Sequence, residues 1–134
     1  MRTVLVIDDE APTRTMFQLL LEVMGYTVFT AGNGARGIEL FKEHRPSIVF
    51  TDIKMPGMDG LAVLASIKDL APDAEVIIIT GHGDVGLALD ALNLDATDFI
   101  DKPVRRDALA TALGRAEERL DRRKSPPGQL RGRA

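Results

Sequence analysis

Four short apolar runs in this chain each end in groups that could handle a phosphoryl group. Thr3-Val4-Leu5-Val6-Ile7 runs into Asp8-Asp9-Glu10, and Ser47-Ile48-Val49-Phe50-Thr51 into Asp52-Ile53-Lys54-Met55-Pro56-Gly57. The run Glu75-Val76-Ile77-Ile78-Ile79 leads to Thr80-Gly81-His82-Gly83, and Thr97-Asp98-Phe99-Ile100 to Asp101-Lys102-Pro103. Carboxylates crowded at one place repel one another and resist full ionisation. A hard divalent cation removes that penalty, and an all-oxygen site with few ligands suits Mg²⁺, which retains waters. Lys102 brings a compact positive charge suited to a phosphoryl oxygen or a carboxylate. The Thr80 hydroxyl can donate to an anion. One carboxylate could attack phosphorus and form an acyl phosphate while the cation and Lys102 neutralise the transferring charge. Phosphoryl transfer depends mainly on positioning and electrostatics, so this small set of groups suffices. Taken singly, an Asp after a strand is an ordinary turn former or helix cap. What points to a site is the coincidence of all four endings.

For these groups to meet, the apolar runs must be neighbouring strands of one sheet. Strand candidates are Thr3–Ile7, Thr27–Thr30, Ser47–Thr51, Glu75–Thr80 and Thr97–Ile100. The first, third and fourth are almost continuously apolar, as expected of parallel strands covered on both faces. Helical patterns lie between them. Phe17, Leu20, Leu21 and Met24 recur at helical spacing, with Pro12 near the start and Gly25 at the stop. Asn33 precedes a second pattern closed by Pro46, and Asp59 is placed to cap a third, from about Leu61 to Leu70. The fourth covers about Asp84 to Leu94 and the fifth about Arg106 to Arg123. Five strands alternating with five helices predict a single doubly wound α/β domain, flavodoxin-like, with a parallel sheet in the order 2-1-3-4-5. In such a sheet ligands bind beyond the carboxyl ends of the strands where the strand order reverses, which is where these endings would gather.

Composition narrows the classes further. With 134 residues the chain fits one domain over residues 1–123, followed by a basic Pro- and Gly-containing linker or tail at 124–134. Cysteine is absent, which excludes a disulfide scaffold, a thiolate metal site and a cysteine nucleophile. No run reaches the length of a membrane span and the start does not read as a signal peptide, so a cytoplasmic location without membrane contact is expected. Residues 1–113 hold 10 basic against 17 acidic side chains, whereas 114–134 hold 7 against 3. The acidic body disfavours direct nucleic-acid binding by the domain. His44 reads as a surface residue near a helix C-terminus, favoured by the dipole.

At the four endings the chain resembles the receiver domain of bacterial two-component response regulators. The resemblance rests on Val6-Ile7-Asp8-Asp9-Glu10, Asp52-Ile53-Lys54-Met55-Pro56-Gly57-Met58-Asp59-Gly60, Thr80-Gly81-His82-Gly83-Asp84 and Asp98-Phe99-Ile100-Asp101-Lys102-Pro103, and it spans Thr3 to about Leu120. It implies that Asp52 accepts a phosphoryl group from the phosphohistidine of a sensor histidine kinase. It further implies that Asp9, Asp52 and the Lys54 backbone carbonyl bind Mg²⁺, with Asp8 reaching it through water. Thr80 and Lys102 would hold the phosphoryl oxygens, the Lys102-Pro103 bond would be cis, and Phe99 would be the switch aromatic that turns inward as Thr80 moves. Lys54 and His82, two residues beyond Asp52 and Thr80, occupy the positions that tune the lifetime of the phosphorylated state. Neither is a carboxylate or amide that readily orients water, so slow self-dephosphorylation is expected. One departure is Asp95, which stands where the family usually has a glycine in a left-handed turn. Thr97 is a milder one.

The resemblance also implies that phosphorylation repopulates two states differing around helix 4, strand 5 and helix 5, with transcription as the expected output. The fourth helix is apolar nearly all round, which suggests a partner surface, including a homodimer through helix 4, strand 5 and helix 5. The fifth helix is longer than one small sheet needs, so its end is expected to extend, pair or fray. Such a protein is a signalling phosphoacceptor that catalyses its own phosphorylation and dephosphorylation, not an enzyme with a separate substrate. Three other readings fit less well. A Mg²⁺-dependent small-molecule phosphatase needs an acid/base carboxylate where Lys54 stands. A flavin protein would not place Asp8-Asp9-Glu10 against a phosphate. An interaction-only pseudo-receiver would have no use for Asp52, Thr80 and Lys102 together.

Overall fold

A computed structural model describes residues 2–81 and 84–124. The elements alternate as β1 (Thr3–Ile7), α1 (Ala11–Val23), β2 (Thr27–Ala31), α2 (Gly34–His44), β3 (Ile48–Asp52), α3 (Gly60–Leu70), β4 (Glu75–Thr80), α4 (Val85–Asn93), β5 (Asp98–Asp101) and α5 (Arg106–Lys124). All strand pairs are parallel, in the order β2-β1-β3-β4-β5. This is the doubly wound order expected from the sequence, with β1 and β3 side by side at the reversal.

The near-continuous apolar strands are explained by two cores, one on each face. Val4, Val6, Ile48, Phe50, Ile77, Ile79 and Ile100 face α1 and α5, where they meet Phe17, Leu21, Leu109 and Leu113. The alternate residues Leu5, Ile7, Val49, Val76 and Ile78 face α2, α3 and α4, against Phe41, Val63, Leu64 and Ile67. Burial of each such side chain stabilises by about 1.5–3 kcal/mol. Edge strand β2 is only partly buried, and its pattern is correspondingly less apolar.

Helix starts follow the local chemistry. The Asn33 side chain accepts the Arg36 N–H at 2.8 Å and Asp59 accepts the Ala62 N–H at 2.9 Å, which stabilises the first turns of α2 and α3. Three strands differ from the sequence reading by one residue at one or both ends. β2 continues to Ala31, β3 covers Ile48–Asp52 instead of Ser47–Thr51, and β5 covers Asp98–Asp101 instead of Thr97–Ile100. The pairings Ile7↔Ala31, Asp52↔Ile79 and Thr80↔Asp101 carry the ladder one step farther than apolarity alone shows. Asp95 adopts φ 70°, so the left-handed turn survives without its glycine, and its carboxylate pairs with Lys68 at 3.4 Å.

Two other sequence features gain partners. His44 is exposed but its ring stacks on Phe29, with centroids 3.9 Å apart. The far end of α5 is anchored to the body. Arg119 and Arg123 reach the fully buried Glu75 at 2.8 and 2.6 Å, and Arg2 pairs with Glu117 and Asp121. The tail assigned to 124–134 lies outside the described residues from Ser125 onward, while Lys124 is the last residue of α5.

Candidate functional site

Four of the five strand ends deliver parts of the site. β1 runs directly into Asp8 and Asp9, and β3 carries Asp52 as its last residue, so the parallel pairing of β1 with β3 sets three carboxylates beside one another. Oxygens of Asp8, Asp9 and Asp52 lie within 4.8 Å of one another. Asp8 and Asp52 are buried and Asp9 is exposed, so the cluster opens outward through Asp9. The Asp8 Oδ1 accepts the Glu10 N–H at 2.9 Å, which fixes the turn leaving β1.

Asp8 Oδ2 is buried and accepts no hydrogen bond, the one such side-chain atom among the described residues. Burial holds the Asp8 carboxyl above its ordinary value and the Asp52 and Asp9 charges add to this; the Glu10 N–H and Lys102 oppose it. A buried oxygen without a donor, in a cluster of three carboxylates, is a donor set suited to a hard cation.

Lys102 enters from the opposite side of the sheet edge. Its backbone N–H donates to the Thr80 carbonyl at 2.8 Å, which pins the end of β5 to β4. Its Nζ donates to Asp52 Oδ2 at 3.0 Å and lies 3.5 Å from Glu10 and 3.8 Å from Asp8. Burial pulls the Lys102 ammonium down, but the Asp52 hydrogen bond and the surrounding carboxylates outweigh it and hold the group above the ordinary lysine value. Lys102 therefore stays charged against Asp52. The Lys102-Pro103 peptide is cis, as the resemblance implied.

Three further groups border the site. Thr80 is buried at the end of β4, yet its hydroxyl donates to Asp101 Oδ1 at 2.8 Å and lies 3.4 Å from the Ile100 carbonyl. Its partner is thus a carboxylate on β5. Phe99, two residues before Asp101 on the same strand face, is turned outward and exposed. Lys54 sits at the mouth of the site, but its ammonium pairs with Asp84 at 2.8 Å. The Lys54 ammonium holds the Asp84 carboxyl below the usual carboxylate range, against burial, and Asp84 also accepts the Gly81 N–H at 3.0 Å. His82 lies outside the described residues.

Asp101 and Asp84 were not singled out by sequence reasoning. Asp84 carries no local signal, since its partner Lys54 belongs to a different loop. Asp101 was discoverable: two adjacent parallel strands that end together put Thr80 and Asp101 side by side.

The sequence matches the family described as the response regulator receiver domain over residues 4–114. It is 40% identical over 117 residues to the C4-dicarboxylate transport transcriptional regulatory protein DctD of Rhizobium meliloti, covering 87% of this chain and 25% of that protein. It is 37% identical over 113 residues to the chemotaxis protein CheY of Bacillus subtilis, covering 84% and 94%. A crystal structure of a response regulator receiver domain protein from Clostridium thermocellum superposes with a TM-score of 0.85 at 36% identity, covering 92% of this chain and 98% of that one. The fold and the cluster of three carboxylates and a lysine at its switch point are those the sequence resemblance implied. This chain belongs to the response regulator receiver domain family. Its relatives include transcriptional regulators, and it spans about a quarter of the length of DctD but nearly all of CheY. No helix among the described residues is long and apolar enough to cross a membrane.

Proposed function

We propose that this domain is a phosphorylatable switch in which Asp52 takes a phosphoryl group from the phosphohistidine of a partner histidine kinase. The observation that carries the reading is the 3.0 Å contact between the Asp52 carboxylate and a charged Lys102, beside the donorless Asp8 oxygen. An Asp52 oxygen forms the new bond to phosphorus while the donor's P–N bond breaks, and its electron pair leaves on the imidazole, which is protonated. Lys102, through its 3.0 Å hydrogen bond, orients the Asp52 carboxylate and neutralises charge on the transferring group. Asp9, Asp52 and the Lys54 carbonyl, with Asp8 behind them, would hold Mg²⁺. When bound, that ion supplies further charge neutralisation for the phosphoryl oxygens.

The domain's own residues perform both phosphorylation and dephosphorylation, without a separate substrate. The Lys54 ammonium is a donor only and is held by Asp84, so it offers no acceptor to orient water, which fits a long-lived phosphorylated state. The output surface is α4, β5 and α5, where Val85, Leu89, Leu92 and Phe99 are exposed, and the relatives named as transcriptional regulators support transcription as the output.

Intact-mass analysis after incubation with acetyl phosphate tests this. One base-labile phosphoryl adduct is expected, dependent on Mg²⁺ and lost in Asp52→Asn. Absence of an adduct, together with no uptake of beryllofluoride, would leave an interaction-only module.

A further inference from the structure

The Thr80 hydroxyl has a single proton, and two carboxylates flank it. In the strand order β3-β4-β5, Asp52 ends the strand on one side of β4 and Asp101 ends the strand on the other. Thr80 is paired in register with Asp101, and its proton is directed to Asp101 Oδ1 at 2.8 Å. A bond to an ionised carboxylate is stronger than one to a neutral acceptor, and this one is made by a hydroxyl that is almost wholly buried. A phosphoryl group on Asp52 can use the Thr80 hydroxyl only if that bond to β5 breaks. Phe99 lies on the same strand face as Asp101 and is turned outward while the bond is made.

We propose that Asp101 is a positioning residue: by accepting the Thr80 hydroxyl it holds the unphosphorylated arrangement and weakens the site's hold on a phosphoryl group. The proposal rests on the phosphoacceptor reading and deepens it. Loss of the competing acceptor leaves Thr80 free to turn toward Asp52, so the phosphoryl-bound arrangement is reached at lower cost. Asp101 is solvent-exposed and its removal buries no unpaired charge, so a gain in ligand affinity is not masked by misfolding.

The test is the apparent affinity for beryllofluoride in the presence of Mg²⁺, followed by fluorine NMR or calorimetry. Asp101→Ala is expected to tighten binding about 3- to 10-fold, the size of one net hydrogen bond. Asp101→Asn keeps an acceptor without its charge and should give a smaller gain. In a Thr80→Ala background, where binding starts weaker, Asp101→Ala should make no further difference. A gain of the same size in that background would mean that Asp101 acts through its charge alone, and would overturn the proposal. Unchanged or weakened binding by Asp101→Ala, with wild-type binding intact and both proteins folded by thermal melting, would overturn it equally. Failure of the wild type itself to bind would instead remove the phosphoacceptor reading, and this proposal with it.

Discussion

At the scale of single residues, the site is assembled from groups that cost the fold stability. Asp8 has a buried oxygen with no donor, and its carboxyl is held above the ordinary value first by burial. Between the unfolded and folded values of such a group the folded state binds more protons than the unfolded one. Its contribution therefore favours folding at low pH and turns against folding as pH rises through the raised folded value. Asp8→Asn removes the charge while keeping the shape. Without Mg²⁺ at pH 7.5 the variant should melt higher by a few degrees, corresponding to about 1 kcal/mol for a domain of this size. The advantage should shrink as pH is lowered and wild-type Asp8 takes up its proton. Added Mg²⁺ should raise the melting temperature of the wild type and do far less for the variant, since binding only to the folded state stabilises it. Equal melting curves at pH 7.5 and at lower pH would mean that Asp8 carries no such penalty.

At the scale of elements, the position of Asp52 depends on how closely α3 approaches the end of β3. Gly60 opens α3 and donates its N–H to the Ile53 carbonyl at 2.8 Å, and a Cβ there would collide with the Asp52 carbonyl and the Ile53 backbone. Backbone atoms cannot swing aside as a side-chain tip can. Gly60→Ala should cost about 1–3 kcal/mol in denaturant unfolding and slow phosphorylation of Asp52 as well, because the strain falls on its own peptide. Gly114, inside α5 with open space around it, is the contrasting case. Gly114→Ala should stabilise by about 0.5–1 kcal/mol and leave phosphorylation unchanged. The same contrast shows what could be read from sequence. Apolar strand runs, the Asn33 and Asp59 caps and the four chemical endings are local patterns, and they predicted the sheet order and brought Asp8, Asp9, Asp52 and Lys102 together. The pairs Lys54–Asp84, Thr80–Asp101 and Glu75 with Arg119 and Arg123 join residues 21 to 48 positions apart. Which of many charged side chains meet is settled by side-chain reach after the strands are docked, and no periodicity records it.

At the scale of the whole molecule, stability is distributed unevenly, and the weak part lies next to the site. α3 buries Val63, Leu64 and Ile67, whereas α4 buries only Ala88 and Ala91 and exposes Val85 at 70% and Leu89 at 55%. Two alanines and the partly buried Leu87 bury less apolar area than the α3 set, so α4 is held to the sheet less firmly than α3. Its N-terminal end is tied to the site through Asp84, which bridges Lys54 and the Gly81 N–H. α5, by contrast, is fastened at its far end by the buried Glu75. A change at Asp52 or Thr80 therefore moves α4 more cheaply than any other helix that borders the site. Hydrogen exchange should show α4 amides opening well before those of α3 and α5. Beryllofluoride with Mg²⁺ should alter exchange chiefly across residues 84–101, leaving β1, β3 and α3 nearly unchanged. Changes spread evenly over the sheet, or confined to α1, would mean that the loosely packed helix is not where the signal leaves the domain.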